Sequence, residues 1–316
     1  MNKIFITGGC GFVGSHLVEY LFEKYKKSKI IVYDKITYAA NPNYLNKIKK
    51  SKRLKIIIAD ILNYKKLLKY TKNTDLIIHA AAESHVDRSF ILNKKFIKTN
   101  VIGTRNVMEA SKINKIKKII HISTDEVYGE IYKGSFNESS NLKPSNPYSS
   151  SKAAAEMIVN GYIRSYNLPV IIIRGNNIFG TRQHYEKLIP ACCLNIIQGK
   201  KIFIHGSGLQ KRSFIFVEDF CKGINTIINK GKLFNTYNIG SNFEYQNIEV
   251  INLILNKFGL KFNDNVKYVK DRPFNDYRYS ININKIKKLK WRPKHKLEDK
   301  ISLVIDWYKK NYKLFK

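Results

Sequence analysis

Ser123, Thr124, Asp125 and Glu126 stand consecutively after the short apolar run Ile119-Ile120-His121-Ile122, with Val127-Tyr128-Gly129 following. A run of that kind predicts a buried strand of a parallel sheet. In open α/β sheets ligands gather beyond the carboxyl ends of the strands, so a hydroxyl and two acids there suit acid–base chemistry. A lone Ser-Thr-Asp would equally serve as a polar turn leading into the next element. Two further features favour chemistry: Tyr148 and Lys152 downstream, in Tyr-Ser-Ser-Ser-Lys, and a glycine-rich turn upstream. With 20 tyrosines and 57 basic residues, Tyr-x-x-x-basic pairs also arise by chance, and Tyr20 with Lys24 is one. Tyr148 and Lys152 differ in opening a predicted helix after Asn146-Pro147, where helical spacing sets both on one face. An ammonium beside a phenol lowers its pKa from about 10 towards neutrality, which makes Tyr148 a usable base.

The elements that would position these residues alternate. A strand over Ile4–Ile6 leads into Thr7-Gly8-Gly9-Cys10-Gly11-Phe12-Val13-Gly14, and a helical pattern over Ser15–Lys26 follows. Glycines at 8, 11 and 14 permit a tight turn and let the backbone approach a pyrophosphate at the helix N-terminus. The next strand, Ile30–Tyr33, ends in Asp34, twenty residues after Gly14. An acid at that distance accepts from the adenosine ribose hydroxyls and repels a 2′-phosphate, so the pair of features selects NAD over NADP. Strands over Lys55–Ala59, ending at Asp60-Ile61, and Leu76–His79, running into Ala80-Ala81-Ala82-Glu83-Ser84-His85, continue the series. The small alanines suit either a close cofactor or tight strand–helix packing. Helices over Asn93–Asn114 and Tyr148–Tyr166 and a strand over Val170–Ile173 complete an α/β fold, a doubly wound parallel sheet of Rossmann type with right-handed crossovers.

Beyond Arg174 the pattern loosens. A loop from Gly175 to Gln183 precedes a predicted helix over Glu186–Gln198, then strands over Lys201–His205, Phe214–Val217 and Tyr237–Gly240. Helices over Val250–Phe258 and Leu297–Lys309 close the chain. Residues 1–175 are expected to form the dinucleotide-binding domain, with segments near 212–240 returning to it. Residues 176–211 and 241–316 are expected to form a smaller C-terminal lobe that binds substrate.

Lys+Arg 57 against Asp+Glu 24 gives a net charge of +33, a field that favours an anionic nucleotide substrate. The lysines are spread along the chain, which suits solvated faces better than specific nucleic-acid binding. Cys10, Cys192, Cys193 and Cys221 form no C-x-x-C pair, the pattern of a reduced compartment without a structural metal. The chain enters its first strand at once, leaving no room for a signal peptide, and no apolar run approaches the ~18 residues of a membrane helix. A soluble cytoplasmic protein is expected.

Assembled, these residues resemble the extended short-chain dehydrogenase/reductase family and, within it, the nucleoside-diphosphate-glucose 4,6-dehydratases typified by those acting on dTDP-glucose. The resemblance runs along essentially the whole chain. It rests on Thr7–Gly14, Tyr33–Ala39, Ala81–Ser89, Ser123–Gly129, Pro147–Lys152, Glu186-Lys187-Leu188-Ile189-Pro190, and Asp271-Arg272-Pro273 with Asp276–Tyr279. The consecutive Thr-Asp-Glu is its specific element, since epimerases and decarboxylases of the superfamily generally lack the two acids.

The resemblance implies a reaction that begins at C4 of the glucose. Tyr148 takes the C4 hydroxyl proton while hydride passes to NAD, with Thr124 hydrogen-bonding the developing oxygen and Lys152 beside the phenol. Glu126 removes the acidified C5 proton, Asp125 protonates the departing C6 hydroxyl, and hydride returns to C6. The product is a 4-keto-6-deoxy sugar, the first step towards deoxysugars such as rhamnose. Implied cofactor contacts are Gly8, Gly11, Phe12, Val13, Gly14, Asp34, Lys35, Thr37, Asp60, Ile61, Ala80, Ala81, Ala82, Ser84, Thr99, Tyr148, Lys152 and Asn177. Implied substrate contacts are Ser84, Thr124, Asn176, Lys187, Leu188, Phe203, Ile204, His205, Arg212, Asn247, Arg272 and Asn275. A homodimer through the helices near Asn93–Asn114 and Tyr148–Tyr166 is implied as well. Arg212-Ser213-Phe214, Phe274-Asn275-Asp276, Thr181 and His184-Tyr185 depart from the usual bacterial pattern. The first two resemble the UDP-glucose 4,6-dehydratases, so dTDP and UDP both stay open as the nucleotide.

Overall fold

Strands rich in isoleucine and valine, buried almost end to end, need apolar cover on both faces. The computed structural model describes residues 1–315 and supplies that cover with helices on either side. Twelve strands run through the described residues: β1 (Lys3–Thr7), β2 (Lys29–Asp34), β3 (Leu54–Ile58), β4 (Leu76–His79), β5 (Ile119–Thr124), β6 (Val170–Gly175), β7 (Asn177–Phe179), β8 (Ile202–His205), β9 (Lys211–Phe216), β10 (Thr236–Ile239), β11 (Glu244–Gln246) and β12 (Val266–Val269). Seven form one sheet in the order β10-β6-β5-β4-β1-β2-β3. Every neighbouring pair in it is parallel. The order reverses between β1 and β4, which places the ligand crevice beyond Thr7 and His79.

Alternation along each strand divides the core. Ile4, Ile6, Val32, Ile78 and Ile120 face the helices Phe12–Lys24 and Val217–Lys230. Phe5, Tyr33, Ile77, Ile119 and Val170 face Tyr64–Tyr70, Gly103–Ile113 and Pro147–Tyr166. The remaining strands build a three-stranded sheet, β11-β9-β7, and a two-stranded parallel one, β12-β8. Helices Leu188–Ile197, Asn247–Phe258 and Leu297–Asn311 pack together beside them.

The doubly wound sheet is the expected fold, and several boundaries differ from expectation. The first helix begins at Phe12 rather than Ser15, with Gly11 as its N-cap. The single helix expected over Asn93–Asn114 is three segments, Asn93–Phe96, a π-helical stretch Ile97–Ile102, and Gly103–Ile113. The wider turn faces Asn100 inward, where its amide bonds Glu83 N, Glu83 O and Ser151 Oγ. The helix expected from Glu186 begins at Leu188, so Glu186 and Lys187 lie in the segment before it. Helix Val217–Lys230 packs against the large sheet and β10 joins its edge, whereas β9 belongs to the three-stranded sheet. That helix, Tyr64–Tyr70, and the short β7, β11 and β12 were not expected. Among the described residues no helix is long and apolar enough to cross a membrane. All four cysteines are free and buried.

Candidate active site

Local rules explain why the reactive residues meet. Asn146 caps the helix Pro147–Tyr166 in a reciprocal capping box with Ser149, and Pro147 fills the first turn. Tyr148 and Lys152 therefore sit one turn apart on the same face. β5 ends in a one-turn 3₁₀ helix, Asp125–Tyr128, capped by Thr124, whose Oγ1 accepts from Glu126 N at 3.3 Å. Gly129 ends that turn at φ +82°, where a Cβ would come within 2.1 Å of Lys143 O.

A cavity of about 610 Å³ opens over the carboxyl ends of the large sheet. Its walls bring together Gly8, Gly11, Phe12, Val13, Gly14, Asp34, Lys35, Thr37, Asp60, Ile61, Ala80, Ala81, Ala82, Ser84 and Thr99 with Thr124, Glu126, Tyr148, Lys152, Asn176 and Asn177. Lys187, Leu188, Phe203, Ile204, His205, Arg212, Asn247, Arg272 and Asn275 complete the sequence-derived set on the wall. Asp125 stands one layer back: it is 3% exposed, and Thr124 Oγ1 donates to its Oδ1 at 3.3 Å.

One end of the cavity is a backbone cradle. A Cβ on Gly8 would lie 2.7 Å from Ala81 N, and one on Gly14 would lie 2.0 Å from Gly8 O, so only glycine fits. Thr7 Oγ1 accepts from the amides of Ala80 and Ala81 and bonds His79 Nδ1. His79 Nε2 in turn meets Thr104 Oγ1 at 2.9 Å. Asp34 accepts from Cys10 N and Ile36 N at 2.9 and 2.8 Å, which oppose the rise that burial gives its carboxyl. A glycine turn, an open helix N-terminus and a buried acid at the end of β2 are the donor and acceptor set that a dinucleotide such as NAD requires.

The other end is crowded with charge. Burial, then the Glu126 charge, pushes the Asp125 carboxyl up to about 8, with Arg212 and the Thr124 hydrogen bond opposing. Glu126 is raised by burial too, but Lys187 and Arg212 pull against the rise. The two adjacent acids thus sit in different surroundings, which is how neighbouring carboxyls come to hold opposite protonation. Lys187 is lowered by burial and donates to Ser84 O at 3.1 Å. Arg212 Nη2 donates to Asp276 O at 2.7 Å and to Asn275 Oδ1 at 3.3 Å. Arg272 pairs with Asp87 at 2.6 Å, linking the far side of the cavity to the helix Val86–Ile91.

The expected fall of the Tyr148 phenol towards neutrality is not found. Burial and then the Glu126 charge push it above its ordinary value, opposed by a hydrogen bond from Thr124. Lys152 Nζ donates to Ile122 O at 2.8 Å. Burial lowers that ammonium to about 8.

Residues absent from the sequence-derived set also line the cavity, among them Glu83, His85, Asn146, Glu186, Asp276 and Tyr279. Asn146-Pro147 carried a legible helix-start signal, and Asp276–Tyr279 belonged to a motif without an assigned role. His85, His184 and Glu186 bring ligand-type atoms within 4.8 Å of one another. Arg88 already grips Glu186 with a fork of bonds at 2.6–2.9 Å. Burial, Lys187, His184 and Arg88 lower His85 to about 2. A cation there would have to displace Arg88.

A parallel sheet with a glycine cradle at its switch point and a Tyr-x-x-x-Lys helix beside it defines a short-chain dehydrogenase/reductase. Residues 5–304 match the family described as GDP-mannose 4,6 dehydratase, and the chain belongs to that family, within the extended members related to NDP-glucose 4,6-dehydratases. It is 39% identical to a dTDP-D-glucose 4,6-dehydratase of Dictyostelium discoideum, over 98% of this chain and 82% of that one. It is 42% identical to a trifunctional UDP-glucose 4,6-dehydratase/epimerase/reductase of Arabidopsis thaliana, over 98% of this chain and 48% of that longer one. A solved dTDP-glucose 4,6-dehydratase from Streptomyces venezuelae, with NAD and TYD bound, superposes with a TM-score of 0.97. The two are 35% identical, and 99% of each chain is covered.

Proposed function

We propose that this chain converts an NDP-glucose, dTDP-glucose in the first instance, to the NDP-4-keto-6-deoxyglucose with NAD as cofactor. The observation that carries the reading is the Thr124-Asp125-Glu126 turn set against Tyr148 in a cavity whose other end is a glycine cradle. Gly8, Gly11 and Gly14 hold the pyrophosphate of NAD, and Asp34 holds its ribose. When bound, NAD supplies a hydride acceptor that gives the hydride back within the same turnover. As the phenolate, Tyr148 takes the proton of the C4 hydroxyl on Oη, helped by Thr124 at the developing oxygen. A C4 ketone acidifies the C5 proton, which Glu126 removes and later returns. Asp125, which burial keeps protonated near neutral pH, gives its proton to the departing C6 hydroxyl. Lys187, Arg212 and Arg272 hold the diphosphate, and residues 176–211 and 241–316 form the sugar-nucleotide lobe.

A homodimer through the helices Gly103–Ile113 and Pro147–Tyr166 completes the proposal. Its support is the exposure of Ile97, Ile102, Ile113, Met157 and Tyr166 on or beside those helices. The free buried thiols suit a reducing cytoplasm. UDP-glucose is the second reading of the substrate, favoured by Arg212-Ser213-Phe214 and by the Arabidopsis relative.

Incubation with dTDP-glucose and with UDP-glucose separately, followed for the 4-keto product, tests the reading. Product from one of them, with NAD extractable from the purified chain, is expected. An exchange of C4 configuration without water loss would overturn it in favour of an epimerase, and recovery of mainly NADP would overturn the cofactor.

A further inference from the structure

We propose that Asp276 is a positioning residue that fixes Tyr279 as a hydrogen-bond acceptor in the sugar end of the cavity, so that the site selects a sugar hydroxyl able to donate to it. The proposal rests on the dehydratase reading for the identity of the sugar.

Asp276 and Tyr279 both line the cavity and both are buried, Asp276 to 2% exposure. Tyr279 Oη donates to Asp276 Oδ2, and Ser145 Oγ donates to the same oxygen at 2.7 Å. Asp276 Oδ1 is buried without a hydrogen-bond partner among the described residues. A phenol has one hydrogen and two lone-pair directions. With that hydrogen committed to a buried carboxylate, Tyr279 can offer the cavity only its lone pairs. Burial, the Glu126 charge and the Asp276 charge all hold the proton on the phenol, so Tyr279 serves as an acceptor and not as a base. Ser145 directly precedes Asn146, the cap of the helix that carries Tyr148, which sets the Asp276–Tyr279 pair beside the reacting end of the cavity.

The pair is held firmly. Arg212 places its guanidinium 4.4 Å from the Tyr279 ring centre and donates to the Asp276 carbonyl. Lys211 N donates to Tyr277 O at 2.7 Å, and Arg278 forks onto Glu244. The segment Asp276–Tyr279 is thereby tied to β9 and β11. Its polarity is therefore a property of the site and not of a loose side chain.

Asp276→Asn tests this, because an amide can donate to Tyr279 Oη and turn the phenol hydrogen towards the cavity. Binding is measured by calorimetry for the nucleoside diphosphates dTDP and UDP, which lack the sugar, and for the corresponding NDP-glucoses. The expected result is NDP-glucose affinity about tenfold weaker with nucleoside-diphosphate affinity unchanged. Tyr279→Phe should give a similar loss, and the double variant should be no worse than Tyr279→Phe alone. Additive losses would overturn the proposal, because Asp276 would then act other than through Tyr279. Equal weakening of diphosphate and sugar nucleotide would overturn it too, since only general damage does that. If Asp276→Asn fails to fold, Ser145→Ala gives the second test. Removing the other donor to Oδ2 should leave the Tyr279 bond, and hence sugar affinity, in place, and a tenfold loss there would count against the assignment. Binding does not require turnover, so a wild-type chain that binds the sugars without forming a 4-keto product would sink the dehydratase reading while leaving this result legible.

Discussion

The two ends of the cavity are built on opposite principles. In the cradle, polar groups are partnered: Asp34 by two amides, Thr7 by His79 and two further amides, His79 by Thr104. At the reacting end, Asp125 Oδ2, Glu126 Oε2, Asp276 Oδ1 and Asn176 Oδ1 are buried without a hydrogen-bond partner among the described residues. A satisfied polar group costs folding little, whereas an unsatisfied buried acid is unfavourable and shifts its proton affinity. The cradle binds by fixed shape. The reacting end holds acids in states that water would not allow, as functional sites do.

The sharpest way to break this comparison is Glu126→Gln, which keeps shape and removes the base. Product formation is expected to fall by ~10²–10⁴, with solvent deuterium incorporation at C5 slowed in step. Normal turnover with full C5 exchange would sink the proposed role. Tyr148→Phe should stop the reaction one step earlier, so that no NADH absorbance appears in a single turnover.

Gly14→Ala attacks the other end. The new Cβ would meet Gly8 O at 2.0 Å, so the turn must move. NAD affinity, read by cofactor retention on purification and by titration, is expected to weaken about ten- to a hundredfold. Retention at the wild-type level would show that the cradle tolerates distortion and is not the rigid half.

The smallest effect sharpens the contrast in stability. Asp125 holds its proton up to about 8 in the folded chain against 3.8 as its ordinary value. Between those limits the unfolded chain has released a proton that the folded chain keeps, so stability falls as pH rises through that window. The cost is absent below the lower limit and complete above the upper one. Asp125→Asn should therefore raise the melting temperature by a few degrees at pH 9 and by less at pH 5, while activity is lost. An equal gain at both pH values would argue against a protonated Asp125.

Much of this division was legible. The isoleucine and valine runs of β1, β2, β4, β5 and β6, the glycines at 8, 11 and 14, and Asp34 after β2 are local signals, and each sits where its pattern predicts. Asn146-Pro147 announced the helix that carries Tyr148 and Lys152. Helix Val217–Lys230 follows β9 without a glycine or proline at the boundary, so its start is unmarked, although Phe220, Ile224 and Ile227 keep helical spacing. The π-helical stretch is rich in the β-branched Ile97, Thr99, Val101 and Ile102, but the partners of its inward Asn100 are distant in sequence. The environment of Tyr148 likewise depends on contacts distant in sequence: its burial and the nearby Glu126 charge come from the fold, and no spacing between Tyr148 and Lys152 reveals them. Tyr279 and Asp276 approach Glu126 only because β9 brings their segment back.

The order of strands in the large sheet also sets a timetable for synthesis. β6 gains its outer neighbour only when β10 emerges, after the chain has left to make β7, the helix Leu188–Ile197, β8, β9 and the helix Val217–Lys230. Until then a nascent chain carries Val170-Ile171-Ile172-Ile173 as an unprotected edge, a template for pairing with another chain. Ribosomal delay between Gly175 and Thr236, or truncation inside that interval, should therefore yield more aggregate than uninterrupted synthesis of the whole chain.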